Sequence, residues 1–135
     1  MFELSVVTPQ GALAGAAAVQ VDEVTAPGAA GEFGVLPGHI PFISATKAGV
    51  LTYRKGGEKT RVAVGPGFVE VDMKGGVVVL VQRAVLGDKI DGDKAAEQQR
   101  DLEAKLAGGG VSEADRQRLQ DDLAWAKAQQ DARRA

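Results

Sequence analysis

Two kinds of polypeptide meet near Gly87, and no single regular element accommodates both. Residues 1–87 hold all five prolines and 14 of the 18 glycines, with 7 acidic and 7 basic side chains, whereas residues 88–135 carry 11 acids and 9 bases in 48 positions. Proline breaks a helix interior and each glycine weakens one by about 1 kcal/mol relative to alanine, so long helices are barred from the first stretch. Beyond Gly87 the β-branched residues are Ile90 and Val111, while Ala, Leu, Gln, Glu, Lys and Arg, which lose little freedom in a helix, fill much of the rest. The expectation is an α+β chain in two domains, strands over 1–87 and helices over 88–135.

Within the first stretch, short runs rich in Val, Phe and Thr stop at turn residues: ELSVVT before Pro9, AVQVDEVTA before Pro27 and VLTYRK before Gly56-Gly57. EKTRVAV follows that glycine pair, so residues 50–64 read as a hairpin. A second hairpin is expected over 68–83, where FVEVDMK and VVVLVQR flank Gly75-Gly76, a pair free to take the positive φ of a tight turn. Val69, Val71 and Met73 alternate with Glu70 and Asp72, which predicts one dry and one wet face. The run Val77 to Val81 does not alternate and predicts a strand covered on both sides. Short strands without intervening helices favour an antiparallel β-sandwich or flattened barrel.

The second stretch reads as an antiparallel two-helix hairpin. Asp91 is placed to cap the first helix, whose Ala95, Leu102 and Leu106 share a face, and Gly108-Gly109-Gly110 ends it. Ser112 with Asp115 three residues on resembles a variant capping box, and Leu119, Leu123 and Ala126 form the second apolar line. Such narrow, alanine-rich stripes bury too little to offset about 1–2 kcal/mol of backbone entropy per residue, so the hairpin must dock on something. That marginal attachment suits a detachable, mobile regulatory element.

Composition excludes several functions. With 16 Lys+Arg against 18 Asp+Glu there is no broad attraction to nucleic acid. One histidine and no cysteine rule out a His/Cys zinc site and thiolate chemistry, and no metal is expected. Absence of cysteine permits a reducing compartment, and the amino terminus has no basic-then-apolar leader, so the cytoplasmic side is expected. No run approaches the roughly 18 apolar residues of a membrane span, so no direct insertion is expected. Ser5 or Ser44 with His39 makes a hydrolytic constellation only on paper, because neither serine lies in a nucleophile elbow. GPGFVE lacks the third glycine of a dinucleotide fingerprint, and no phosphate-cradling GxxxxGK[ST] loop occurs. No catalytic residue is expected.

What remains points to contacts with other proteins. In GEFGVLPGHIPF, residues 31–42, Glu32 lies among Phe33, Val35, Leu36, Ile40 and Phe42 around a Pro-Gly turn, and apolar groups rimmed by charge commonly mark docking surfaces. His39 reads two ways, as a turn-filling residue bonded to backbone or as a contact residue. Trp125 serves equally as a core plug or an interface anchor. Lys127, Arg133 and Arg134 are basic side chains at a helix end, suited to the helix dipole or to an acidic partner.

FELSVVTPQG, GEFGVLPGHIPF, KAGVLTYR, GPGFVEV and VVVLVQRA leading to IDGDKAAEQQR occur in an order that resembles the epsilon subunit family of bacterial rotary ATP synthase, the counterpart of mitochondrial delta. The resemblance covers essentially the whole length. It implies a noncatalytic rotor subunit on the cytoplasmic face of the membrane, with a β-sandwich bound to the gamma subunit and the c-ring and a helical hairpin behind it. It implies c-ring or gamma contacts for Glu32, Phe33, His39 and Phe42. It also implies that a lifted hairpin meets the beta and alpha subunits, with Arg116, Arg118, Lys127, Arg133 and Arg134 as candidates, and hinders ATP hydrolysis. Some relatives bind ATP through Ile or Leu, Asp, two variable positions, Arg and Ala. Here the positions are Ile90, Asp91, Gly92, Asp93, Lys94 and Ala95. Lysine in place of arginine loses the planar fork that suits phosphate, so ATP is expected to be a weak regulatory ligand or none, and no resident cofactor is expected.

Overall fold

The computed structural model describes residues 1–133. Eleven strands come first: β1 (Phe2–Thr8), β2 (Gly11–Ala12), β3 (Val19–Val21), β4 (Glu23–Gly28), β5 (Gly31–Val35), β6 (Phe42–Thr46), β7 (Gly49–Lys55), β8 (Glu58–Val64), β9 (Gly67–Val71), β10 (Val77–Val81) and β11 (Ala84–Leu86). A single 3-10 turn, Gly87–Lys89, leads to α1 (Gly92–Ala107) and α2 (Glu113–Arg133).

The strand order is β11-β8-β7-β4-β6-β9-β10-β1-β2, with β3 on β1 and β5 on β4. The ribbon folds over at Gly28, where β4 meets β6 through a single pair with Thr46. One layer holds β5, β4, β7, β8 and β11; the other holds β6, β9, β10 and β1 with its short partners. Side chains alternate along a strand, so each layer turns every second residue inward. Leu4, Val6, Val69, Val71, Val77 and Val79 from one layer and Val24, Val35, Leu51, Val62 and Val64 from the other are fully or almost fully buried in one core. The pairings are antiparallel except β1 with β10, which run parallel in the register Leu4 to Val77. Tyr53 donates its hydroxyl hydrogen to Gly15 O at 2.8 Å, fastening the loop before β3 to the core.

Both predicted hairpins form, with Arg54 opposite Lys59 and Val69 opposite Val79. The second has a longer turn than its glycines suggested. Asp72 Oδ1 accepts from the Lys74 and Gly76 N–H groups, at 2.8 and 2.9 Å, and closes a loop over Asp72–Gly76. Met73, expected on the dry face, is therefore lifted out of the strand and is 90% exposed.

The helices start as their caps dictate. Asp91 Oδ1 accepts from Lys94 N–H at 3.1 Å, and Ser112 Oγ accepts from Asp115 N–H at 3.2 Å. Gly109 and Gly110, with φ of +71° and +72°, reverse the chain between them. Gln130 hydrogen-bonds Gln99 across the hairpin. α2 lies on the outer face of β7 and β8, where Ala132 and Ile90 join Ala63, flanked by Val50, Val85 and Trp125. The hairpin is thus docked, with Trp125 half-buried at the seam.

Candidate interaction surfaces

The segment 31–42 is stiffened by its own side chains. Leu36-Pro37-Gly38-His39 closes a turn in which His39 N–H donates to Leu36 O at 3.2 Å, with Gly38 at φ +82°, the pattern of a type II turn. The imidazole Nδ1 lies 3.0 Å from Ile40 O and donates to it in the tautomer protonated there. The ring rests 5.0 Å from Phe42, which meets Phe33 edge-on at 5.6 Å and 72°. Phe33, His39 and Phe42 are therefore one half-buried aromatic cluster tying β5 to β6. Glu32 faces away from Phe33 by strand alternation and is exposed, with no ion pair or side-chain hydrogen bond among the described residues. Leu36 and Ile40 stand out at 52% and 72% exposure. The segment presents a free carboxylate and two apolar side chains on a rigid base.

A second surface was not expected. In β10, Val77, Val79 and Val81 are buried, but Val78 is only half-buried and Leu80 is 47% exposed, so this strand is covered on one side and not on both. Leu80 sits opposite Phe68 of β9, which sits opposite Ala45 of β6, and Val7 of β1 completes the row. Ile43 in the next row is 67% exposed and Phe68 54%. A row of apolar side chains across four strands with water on it is the usual mark of a face kept for a partner. The sequence signal was the missing alternation itself, and only the assumption that this chain supplies the cover was wrong.

The residues of the nucleotide-like motif lie beside a groove of about 570 Å³ between the hairpin and the turn after β10. Ile90 and Ala95 are buried, Ala95 in the wall of the groove, Asp91 is engaged in capping, and Lys94 is exposed. The groove's charged lining is Arg83, Lys94 and Lys105 against Asp91, Asp101 and Asp122, which cancels and offers no net attraction to polyphosphate. Of the helix cations, Arg118 is paired with Asp115 at 3.0 Å, Arg116 is half-buried, and Lys127 and Arg133 are exposed. Arg134 lies outside the described residues.

A family model described as the ATP synthase Delta/Epsilon chain, beta-sandwich domain, matches residues 1–87. The chain belongs to this family. The ATP synthase epsilon chain of Geobacter metallireducens is 48% identical over 89 residues, 66% of this chain and 64% of that protein. The match thus spans just under two thirds of that relative's length. The epsilon chain of Magnetococcus marinus is 36% identical over 127 residues, covering 94% of this chain and 90% of its own. A chain in the Euglena gracilis mitochondrial ATP synthase structure (OSCP/F1/c-ring) superposes with a TM-score of 0.82 at 25% identity, over 97% of this chain and 80% of that one. Another, from the Tetrahymena thermophila mitochondrial ATP synthase central stalk and c-ring, gives 0.65 at 12% identity over 98% of this chain and 96% of that one, a likeness of fold alone. The family's sandwich-plus-hairpin architecture therefore extends over the described helices as well. No helix among the described residues is long and apolar enough to cross a membrane.

Proposed function

We propose that this chain is a noncatalytic central-stalk subunit of a rotary ATP synthase, held peripherally on the cytoplasmic face of the membrane. The observation that carries the reading is the uncovered apolar row Ala45–Phe68–Leu80–Val7 with Ile43 beside it, on a fold whose family relatives are ATP synthase epsilon chains. This row docks the sandwich on the gamma subunit, the rotor shaft. The braced 31–42 segment, through Glu32, Phe33, His39 and Phe42, meets the c-ring: the aromatic cluster resists torque and Glu32 supplies a directional polar contact that fixes register. The hairpin is the regulatory element, and Arg116, Arg118, Lys127, Arg133 and Arg134 are its candidate contacts to the beta and alpha subunits when it lifts. ATP binding to the hairpin is the weaker reading, since the groove's charges cancel and Asp91 already accepts a backbone hydrogen bond.

Reconstitution with gamma, the c-ring and the catalytic head tests this. A Phe68→Ser/Leu80→Ser variant removes exposed apolar surface without touching the core, and it is expected to fold normally and to lose co-purification with gamma. Glu32→Gln is expected to leave gamma binding intact and to lower ATP-driven proton pumping relative to hydrolysis. Undiminished gamma binding by the double variant would overturn the assignment of that face.

A further inference from the structure

The hairpin's docking seam is built from small side chains. Ala132 of α2 meets Ala63 and Ile90, with Val50, Val85 and Trp125 at its edges, and Ala126 and Ala128 are the other fully buried side chains of α2. Alanine buries little area, so this seam is weakly held by apolar contact at about 25 cal/mol per Å². At its edge stands a polar contact of a different kind. Arg83, in the turn between β10 and β11, places its Nη2 3.0 Å from Asp122 Oδ1 of α2. The same guanidinium lies over the ring of Trp125, its central carbon 5.6 Å from the ring centroid. Asp122 and Trp125 are three residues apart on α2 and so share a face, which lets one planar cation engage both.

We infer that Arg83 is the latch of the hairpin: it holds α2 on the sandwich through Asp122 and Trp125 together, and its contacts set the balance between docked and lifted hairpin. Arginine suits the task where lysine does not. Its flat fork hydrogen-bonds the carboxylate edge-on while presenting a face to the indole. The Arg83 backbone is fixed separately: its carbonyl accepts from Gly65 N–H at 2.8 Å, so the side chain projects from a corner that does not depend on the latch. Side-chain exposures of 49% for Arg83 and 38% for Asp122 leave the pair open to salt screening. The latch is therefore adjustable by ions or by a competing carboxylate, and a buried pair would not be.

Native-state hydrogen exchange of the full chain tests the inference, because exchange of α2 amides through undocking rises in proportion to the lifted population. Arg83→Ala is expected to speed exchange along α2 roughly four- to thirty-fold, the combined worth of an exposed ion pair and a cation–π contact. Asp122→Ala is expected to give part of that change and Trp125→Leu another part. The charge-reversed pair Arg83→Asp/Asp122→Arg restores the ion pair and is expected to recover protection lost in Asp122→Ala. Raising salt is expected to speed α2 exchange in the native chain and to have little effect in Arg83→Ala. Unchanged α2 exchange in Arg83→Ala overturns the latch. So does acceleration confined to β10 and β11 that the charge reversal fails to repair, which would make Arg83 a fold residue of that corner only.

Discussion

Replacing Gly87 by alanine is expected to lift the hairpin while leaving the sandwich folded. A Cβ at this position would lie 2.6 Å from Ala132 O of α2 and 3.1 Å from Arg61 O of β8. Both are backbone atoms, so neither can swing aside as a side-chain tip would. The Arg61 carbonyl is fixed in the β7–β8 ladder, where Arg61 pairs with Thr52. The end of α2 rests on small side chains and is the partner that gives way. Overpacking of this kind costs about 1–3 kcal/mol, and here the cost falls on docking. Two signals separate the outcomes. Trp125, the one tryptophan, is half-buried at the seam, while the far-UV β signal follows the sheet, whose core lies on the other side of β7 and β8. In urea titrations, Gly87→Ala is expected to bring the Trp125 emission change to lower denaturant, by the equivalent of about 1–3 kcal/mol, ahead of an almost unmoved β transition. If the two signals shift together, or neither shifts, the seam is not the yielding contact and the reasoning fails.

Two local substitutions test the account at other points. Thr46 is buried at the corner where β4 meets β6, and its hydroxyl has no hydrogen-bond partner among the described residues, so Thr46→Val is expected to raise stability by about 1 kcal/mol in denaturant titrations. A loss of stability instead would mean that a bound water satisfies the hydroxyl. Asp91→Ala removes the cap of α1, and a cap is worth about 1 kcal/mol, so the Lys94 amide is expected to exchange roughly five-fold faster, with Asp91→Asn close to native.

Local chemistry was legible in the sequence and remote chemistry was not. The Asp91 and Ser112 caps, the glycine turn between the helices and both hairpins depend on residues within a few positions of one another, and each forms, the second hairpin with a longer turn than its glycine pair predicted. Met73 was misplaced because alternation continued past Val71, while Asp72, two and four residues before the amides it accepts from, ended the strand. The parallel pairing of β1 with β10 joins segments about seventy positions apart and left no periodic signature. Within the candidate site, His39 hydrogen-bonds backbone in its turn, as the first of its two readings has it, and its ring also supports Phe42. Arg83 falls within VVVLVQRA, but nothing in that segment signalled its role, since its partners reach it only once α2 has docked.

The two outer faces of the sandwich divide the work by the kind of contact each can make. On the β7–β8 side, alanines and the exposed Arg83–Asp122 ion pair give an attachment that is easily broken. On the β6–β9–β10 side, Phe68, Leu80 and Ile43 offer large apolar area, which binds through desolvation and is little affected by salt. On the proposed function, a partner seated on the second face therefore keeps its hold while the hairpin on the first is released, because the two contacts share no side chain and respond to different conditions. Arg83 lies between β10 of one layer and β11 of the other, at the corner where the chain crosses from the strand bearing Leu80 to the sheet that receives α2. A latch at that crossover can open without disturbing either hydrophobic layer, which is what the proposed function asks of a subunit that stays on a rotor while its helices change place.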